Sequence, residues 1–383
     1  MNTMTKKSLL LGVSALAVVM SVAMSSNMAV ASAVSVGAAT TASTATNTND
    51  YTFNVNDGVL TTGDSSTAIS MDGAISIGSG ITGSTISAGE NTTLNTSTGA
   101  INLGATGILL TNAKTVTVAT SKTLTVGTAK IGIGTLTVTG TLAAPTVQFT
   151  GDGTLTISAT TGTATSLTAI KTDATNTGTV AVNHVAGVSS SLAYGSSDKV
   201  LKKVTFTEAS GTFDIGAAVY ATNTAIGANT TLQLSKGASI NGALDGSGSL
   251  VINSDQVTGG DVGAATALTL VTVNASDTYS VNHNLKSTNI TLNSGSSLKF
   301  GTSGTPTVTV TGAIDGSAAS TGAITVAAGT TTFKTAVGNT KTLGSFTVAN
   351  GATAELEAVL KADAVTVAGT LKTKSAITAP IDG

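Results

Sequence analysis

The segment from Gly134 to Ser158, GTLTVTGTLAAPTVQFTGDGTLTIS, writes nearly the same thing twice. Gly-Thr-Leu-Thr-Val is followed by Gly-Thr-Leu-Thr-Ile, with Leu136 and Leu155 19 residues apart. Self-similarity at such a period marks a chain that stacks small units, because one unit cannot bury its apolar face alone. The motif, apolar–x–apolar with x most often Thr, recurs at Val116, Leu136, Leu155, Val180, Val204 and Phe213. It continues at Leu232, Leu250, Leu268, Ile290, Val308, Ile324, Phe346 and Val365, in steps of 18, 18, 22, 18, 16, 22 and 19.

A step of about 19 residues is too long for a hairpin repeat of roughly 8–12 residues. It suits one coil of a parallel β-helix, in which each short strand pairs with its equivalent about 4.8 Å away in the next coil. In LTVTG the alternation places Leu136 and Val138 inward and Thr137 and Thr139 outward. Gly and Asn then fall at corners that need positive φ. An antiparallel sandwich could also use short strands and Gly-rich turns, but the spacing here persists over some 250 residues. The fold expected is all-β, a right-handed parallel β-helix of about 19 residues per coil. Val116 to Val365 would make about 13 coils, a rod of about 60 Å at that stacking distance. Ser189–Lys203 reads as a loop inserted on one face, and Ala354–Val365 as strand despite its helix-forming residues.

Composition supports many short strands. Charged residues are 9% of the chain, against roughly a quarter in ordinary domains, and aromatics are 3%. Threonine supplies about a fifth of the residues and glycine 44 of the 383. All 17 basic residues are lysine. Without arginine or a basic run, and at net charge −2, the chain lacks the footprint of a nucleic-acid binder. It has no cysteine, which excludes disulfides and thiolate metal sites.

The first residues follow other rules. Lys6 and Lys7 precede an apolar run from Leu9 to Met24, and Ala29-Val30-Ala31 then fits an Ala-x-Ala cleavage pattern, with Ala31-Ser32-Ala33 as a second candidate. This is the grammar of a secretory signal peptide cleaved after Ala31 or Ala33. Its apolar core falls short of the roughly 20 residues of a membrane anchor. The organisation read from the sequence is a signal peptide over 1–31, a lead-in or cap over 32–60 and a β-solenoid over 61–383. With four Tyr, seven Phe and no Trp, the chain lacks the aromatic girdles of a transmembrane barrel.

Catalytic constellations are hard to assemble. His184 and His283 each end a Val-Asn-His triplet and read as copies of one repeat position. Ser65, in TTGDSST, lacks the glycine and the upstream histidine of a trypsin-like nucleophile, and a serine needs a base. Glu90, Glu208, Glu355 and Glu357 are scattered, so no carboxylate pair for sugar chemistry stands out. Leu244–Asp255, LDGSGSLVINSD, is the nearest approach to a calcium-binding β-roll repeat, in a single copy. Lys199, Lys202 and Lys203 read as a solvated loop. No catalytic, cofactor or metal residue is nominated, and no cofactor is expected.

The leader ending NMAVASA, with GTLTVTG, GDGTLTIS and VTVAGTLK, resembles autotransporter passenger domains, most of all the rickettsial outer membrane protein B type of surface antigen. The likeness runs from about Val116 to the end and is one of style and period. It implies a β-helix displayed on the outer membrane surface, or outside the cell, of a Gram-negative bacterium, acting in adhesion or coat formation. The family's translocator barrel has no pattern in these 383 residues, and the Asn-Pro-Asn-Gly signature of two-partner secreted adhesins is absent. The expected function is thus a non-enzymatic exported surface β-solenoid, with a host-cell or matrix surface, or further copies in a coat, as partner. A polysaccharide-active enzyme on the same scaffold is the alternative.

Overall fold

In the computed structural model, residues 115–382 are described except for 121, 159–166, 185–189 and 209. Before residue 115, the strands between Ala33 and Leu110 are described. The described residues form strands and turns with no helix, and every strand pairing among them is parallel.

The building rule is visible in one turn. Thr115–Val118, Thr123–Thr125 and Thr128–Ile131 are three short strands separated by corners, after which Thr135–Val138 lies on Thr115–Val118. Each turn therefore contributes one strand to each of three faces. On the first face one inward column runs through Val116, Leu136, Leu155, Val180, Val204, Thr224 and Leu244. It continues through Val262, Leu285, Val310, Phe333 and Leu356 to Thr373. Successive members are 17 to 25 residues apart, giving about 13 turns of roughly 20 residues. The expected parallel β-solenoid is thus the fold. Pairing also continues toward the N-terminus, where Ala33–Val36 lies against Asp50–Phe53.

Alternation explains why the stack holds. In Thr135–Val138, Leu136 and Val138 are buried while Thr135 and Thr137 are half-buried. Leu136 sits between Val116 and Leu155, and all three are fully buried. Burying such a side chain contributes about 1.5–3 kcal/mol, repeated along a continuous core. Rings add to it in two places, Tyr194–Phe206–Phe213 and Phe300–Phe333–Phe346, with centroids 5.2 to 5.7 Å apart.

Corners set the backbone chemistry. Gly178, at φ 78°, carries the chain under Phe149, where a Cβ would come within 2.4 Å of the ring. Gly312, at φ 141°, lets the ten-residue strand Thr307–Gly316 turn from one face to the next without a break. Val310 then belongs to the first column, while Ile314 stacks on Ile290.

The repeat read from the sequence splits between faces. Val116 through Val204 are true partners on one face, Phe213–Leu232–Leu250 on a second and Ile324–Phe346–Val365 on the third. Leu250, however, lies under Val271 and not under Leu268. The region around Ser189–Lys203 is corrected: its described part is ordinary coil. Ala193–Tyr194 pairs with Ala169–Ile170 and puts Tyr194 in the core, and Leu201–Phe206 pairs with the first face. Lys202 and Lys203 are outward residues of that strand, and only Lys199 stands in a turn, bonded across it to Ser196. Ala354–Val365 is strand at both ends, within Thr353–Leu356 and Leu360–Val367, with a corner at residues 357–359 between them.

Candidate functional surface

With its apolar residues inside, the rod meets its surroundings through outward columns, corners and ends. Thr115, Thr135, Thr154 and Thr179 form one outward column, and Thr117, Thr137 and Thr156 form its neighbour. A second four-threonine column, Thr307, Thr330, Thr353 and Thr370, lies further along the same face. These side chains stand at the strand spacing of about 4.8 Å, and they present hydroxyl and methyl groups in rows.

Corner carboxylates and amides tie each coil to the next. Asp245 Oδ1 accepts from the backbone N–H groups of Ala265 and Thr266, and its Oδ2 accepts from Asn223 Nδ2. Asp315 Oδ1 accepts from Thr340 and Lys341 at 2.8 and 3.1 Å. Asp255, Asp261 and Asn284 do the same for Thr278, Asn284 and Thr309. Asn253, Asn274 and Asn293 form an amide ladder, in which Asn274 Nδ2 donates to Asn253 Oδ1 and Asn293 Nδ2 donates to Asn274 Oδ1. Much of the aspartate complement in this region therefore satisfies turn N–H groups, which explains why acids beside glycine did not announce a catalytic pair.

Two charged arrangements stand apart. Lys334 and Lys374 both bind Glu357, at 2.8 and 3.0 Å, and Lys372 binds Glu355 at 3.0 Å. Lys372 holds the Glu355 carboxyl below its ordinary range, and Lys334 and Lys374 do so for Glu357. On another corner an open notch of about 360 Å³ is lined by Lys236, Gly237, Ser254, Asp255, Ser276 and Asp277. There desolvation, then the neighbouring Asp255 charge, raises the Asp277 carboxyl.

The singled-out residues separate. His184 Nε2 lies 3.3 Å from Glu208 Oε1, one coil on. His283 follows Thr278–Val281, whose Val281 stacks under Phe300, whereas Val182 stacks between Ile157 and Phe206. The two histidines are therefore not copies of one repeat position. Leu244–Asp255 supplies the Asp245 and Asp255 caps just described. Lys202 reaches across two coils to Asp152 at 2.5 Å. Ser65, Glu90 and the cleavage positions Ala31 and Ala33 lack described side chains. Among the described residues no three His, Cys, Asp or Glu side chains gather as a metal site would require, and no helix is long and apolar enough to cross a membrane.

The sequence reading missed the far end of the stack. Leu371, Ile377 and Ile381 occupy the columns of Ala354, Leu360 and Val365. Those three lower residues are buried, yet Leu371 and Ile377 are only partly so and Ile381 is 56% exposed. Period-2 patterning assigns all six to the core, and only the absence of a following coil among the described residues distinguishes them. Compared with family models, curated proteins and solved structures, the chain has no match.

Proposed function

We propose that this chain is an exported, non-enzymatic β-solenoid of the cell surface, an autotransporter-like passenger serving as adhesin or surface-layer element. One observation carries the reading most of the way: the described coils form a single parallel stack whose outward groups lie in repeated rows and inter-coil ladders. Such a body projects a regular polar surface over a distance, which suits contact with a host-cell or matrix surface or with further copies. The leader, with its Lys6-Lys7 start and its small-residue exit at Ala31 or Ala33, supplies the export half of the proposal.

The test is expression with the native leader in a Gram-negative host, followed by fractionation, N-terminal sequencing and protease shaving of intact cells. The proposal expects a chain starting at Ser32 or Val34 that external protease reaches. An uncleaved chain retained in the cytoplasm overturns it.

A further inference from the structure

The sequence holds two Asn-Gly pairs, Asn241–Gly242 and Asn350–Gly351. A glycine after asparagine leaves its main-chain nitrogen unshielded by a Cβ, so that nitrogen reaches the side-chain amide carbon wherever the peptide can rotate. The structure separates the two pairs. Asn241 Nδ2 donates to Ser239 Oγ at 2.8 Å, and its backbone N–H donates to Val219 O at 2.9 Å. Gly242 is seated on the coil before it, where a Cβ would overlap Ala221 O. Asn350 and Gly351 are both exposed, at the tip of a turn that Ala352 N–H closes by donating to Ala349 O at 3.0 Å. Among the described residues neither the Asn350 side chain nor the Gly351 N–H has a hydrogen-bond partner. Nothing lies within 4 Å of where a Gly351 Cβ would stand.

The base of that turn is fixed. Ala349 and Thr353 N–H groups donate to Val326 O and Gly329 O of the coil before, and Gly369 N–H of the coil after donates to Val348 O. Only the tip is free to rotate. We infer that Asn350–Gly351 is a self-modifying site, which converts to aspartate and isoaspartate with water as the sole co-reactant. The Gly351 nitrogen gives its proton to solvent hydroxide and attacks Asn350 Cγ. The N–Cγ bond forms, the Cγ–Nδ2 bond breaks, and Nδ2 leaves as ammonia. Water then opens the cyclic imide. Opening at Cγ gives aspartate, whereas opening at the Asn350 main-chain carbonyl leaves Gly351 linked through Cγ, an isoaspartate. Each event adds one carboxylate to an exposed corner and takes the net charge of the chain from −2 to −3. Because neighbouring coils hold the flanks of the turn and not its tip, the stack keeps its fold. The chemistry is the same whether or not the chain is exported.

The full chain is incubated folded, and in parallel unfolded in guanidinium, in mildly alkaline water enriched in heavy oxygen. It is then cleaved at lysines and the peptides are sequenced by mass spectrometry. The peptide from Thr342 to Lys361 holds Asn350 as its sole asparagine, so its label is unambiguous. In guanidinium the two pairs should take up heavy oxygen at similar rates. In the folded chain Asn350 should keep a rate near its unfolded one, while Asn241 slows by about tenfold or more. An isoaspartyl methyltransferase should label the Asn350 peptide, and Asn350→Gln should abolish both signals with circular dichroism unchanged. Gly351→Ala should slow uptake at Asn350 by about tenfold in the unfolded chain as well, where turn geometry plays no part. Equal protection of both pairs by folding, faster reaction at Asn241, or an Asn350 that reacts only when unfolded overturns the inference.

Discussion

Leu155 lies directly over Leu136, and Thr156 over Thr137, with no slip in register between the two coils. One pair is buried and the other faces out, so a single sequence alternation sets both the core and the surface.

Replacing a member of the inner pair removes packing from both neighbouring coils. Leu136→Ala should cost about 2–5 kcal/mol of unfolding free energy, whereas the outward Thr137→Ala should change it by less than about 0.5 kcal/mol. Urea denaturation followed by far-UV circular dichroism checks the contrast. Equal effects would contradict the inward and outward assignment.

Two buried tyrosines make opposite demands. The Tyr279 hydroxyl lies 3.1 Å from Thr258 Oγ1, while the Tyr194 hydroxyl is buried with no hydrogen-bond partner among the described residues. Burial pushes both phenols well above their ordinary pKa. Tyr194→Phe should be neutral or stabilising, since it removes an unsatisfied group. Tyr279→Phe should cost about 1 kcal/mol, because it strands the Thr258 hydroxyl. Thermal midpoints of the two variants against the parent decide this.

Asp315 closes the turn of the next coil through Thr340 and Lys341. Asp315→Ala should lower stability by about 1–2 kcal/mol, and Asp315→Asn, which keeps an accepting oxygen, by less. Denaturant midpoints measure the order.

Acid should loosen the lysine–glutamate ladder. A carboxyl whose pKa is lower in the folded chain stabilises the fold above its unfolded value, and that contribution is lost as pH falls through the folded value. Glu355 and Glu357 are both lowered from a reference of 4.5 by their lysines. The melting temperature at low salt should therefore fall on acidification below about pH 4.5. The difference between the parent and Glu357→Gln should shrink over the same range. A difference that stays constant on acidification would contradict the pairing.

Leu136 and Leu155 were legible as partners because alternation and period coincide. Leu268 drew the reading away from Val271, because Leu268, Leu270 and Val271 crowd one strand and any of them fits the pattern. The strand of Tyr194 has two residues, too short to show alternation, so the sequence alone reads as loop there. The aspartates were legible as corner residues, but their donors lie some 20 to 26 residues onward, set by coil length and not by local sequence. The exposed end at Ile381 has the same pattern as the buried Val365, so only the stack itself tells them apart.

These coils pile up in parallel along one axis, and distances along one outward column measure that most directly. Thr137 shares its column with Lys286, Lys334 and Lys374, which lie seven, nine and eleven coils on. Pulsed electron paramagnetic resonance between nitroxides on Cys-substituted pairs should give about 34, 43 and 53 Å, rising by about 4.8 Å per coil. Distances that fail to grow with coil number would contradict the parallel stack.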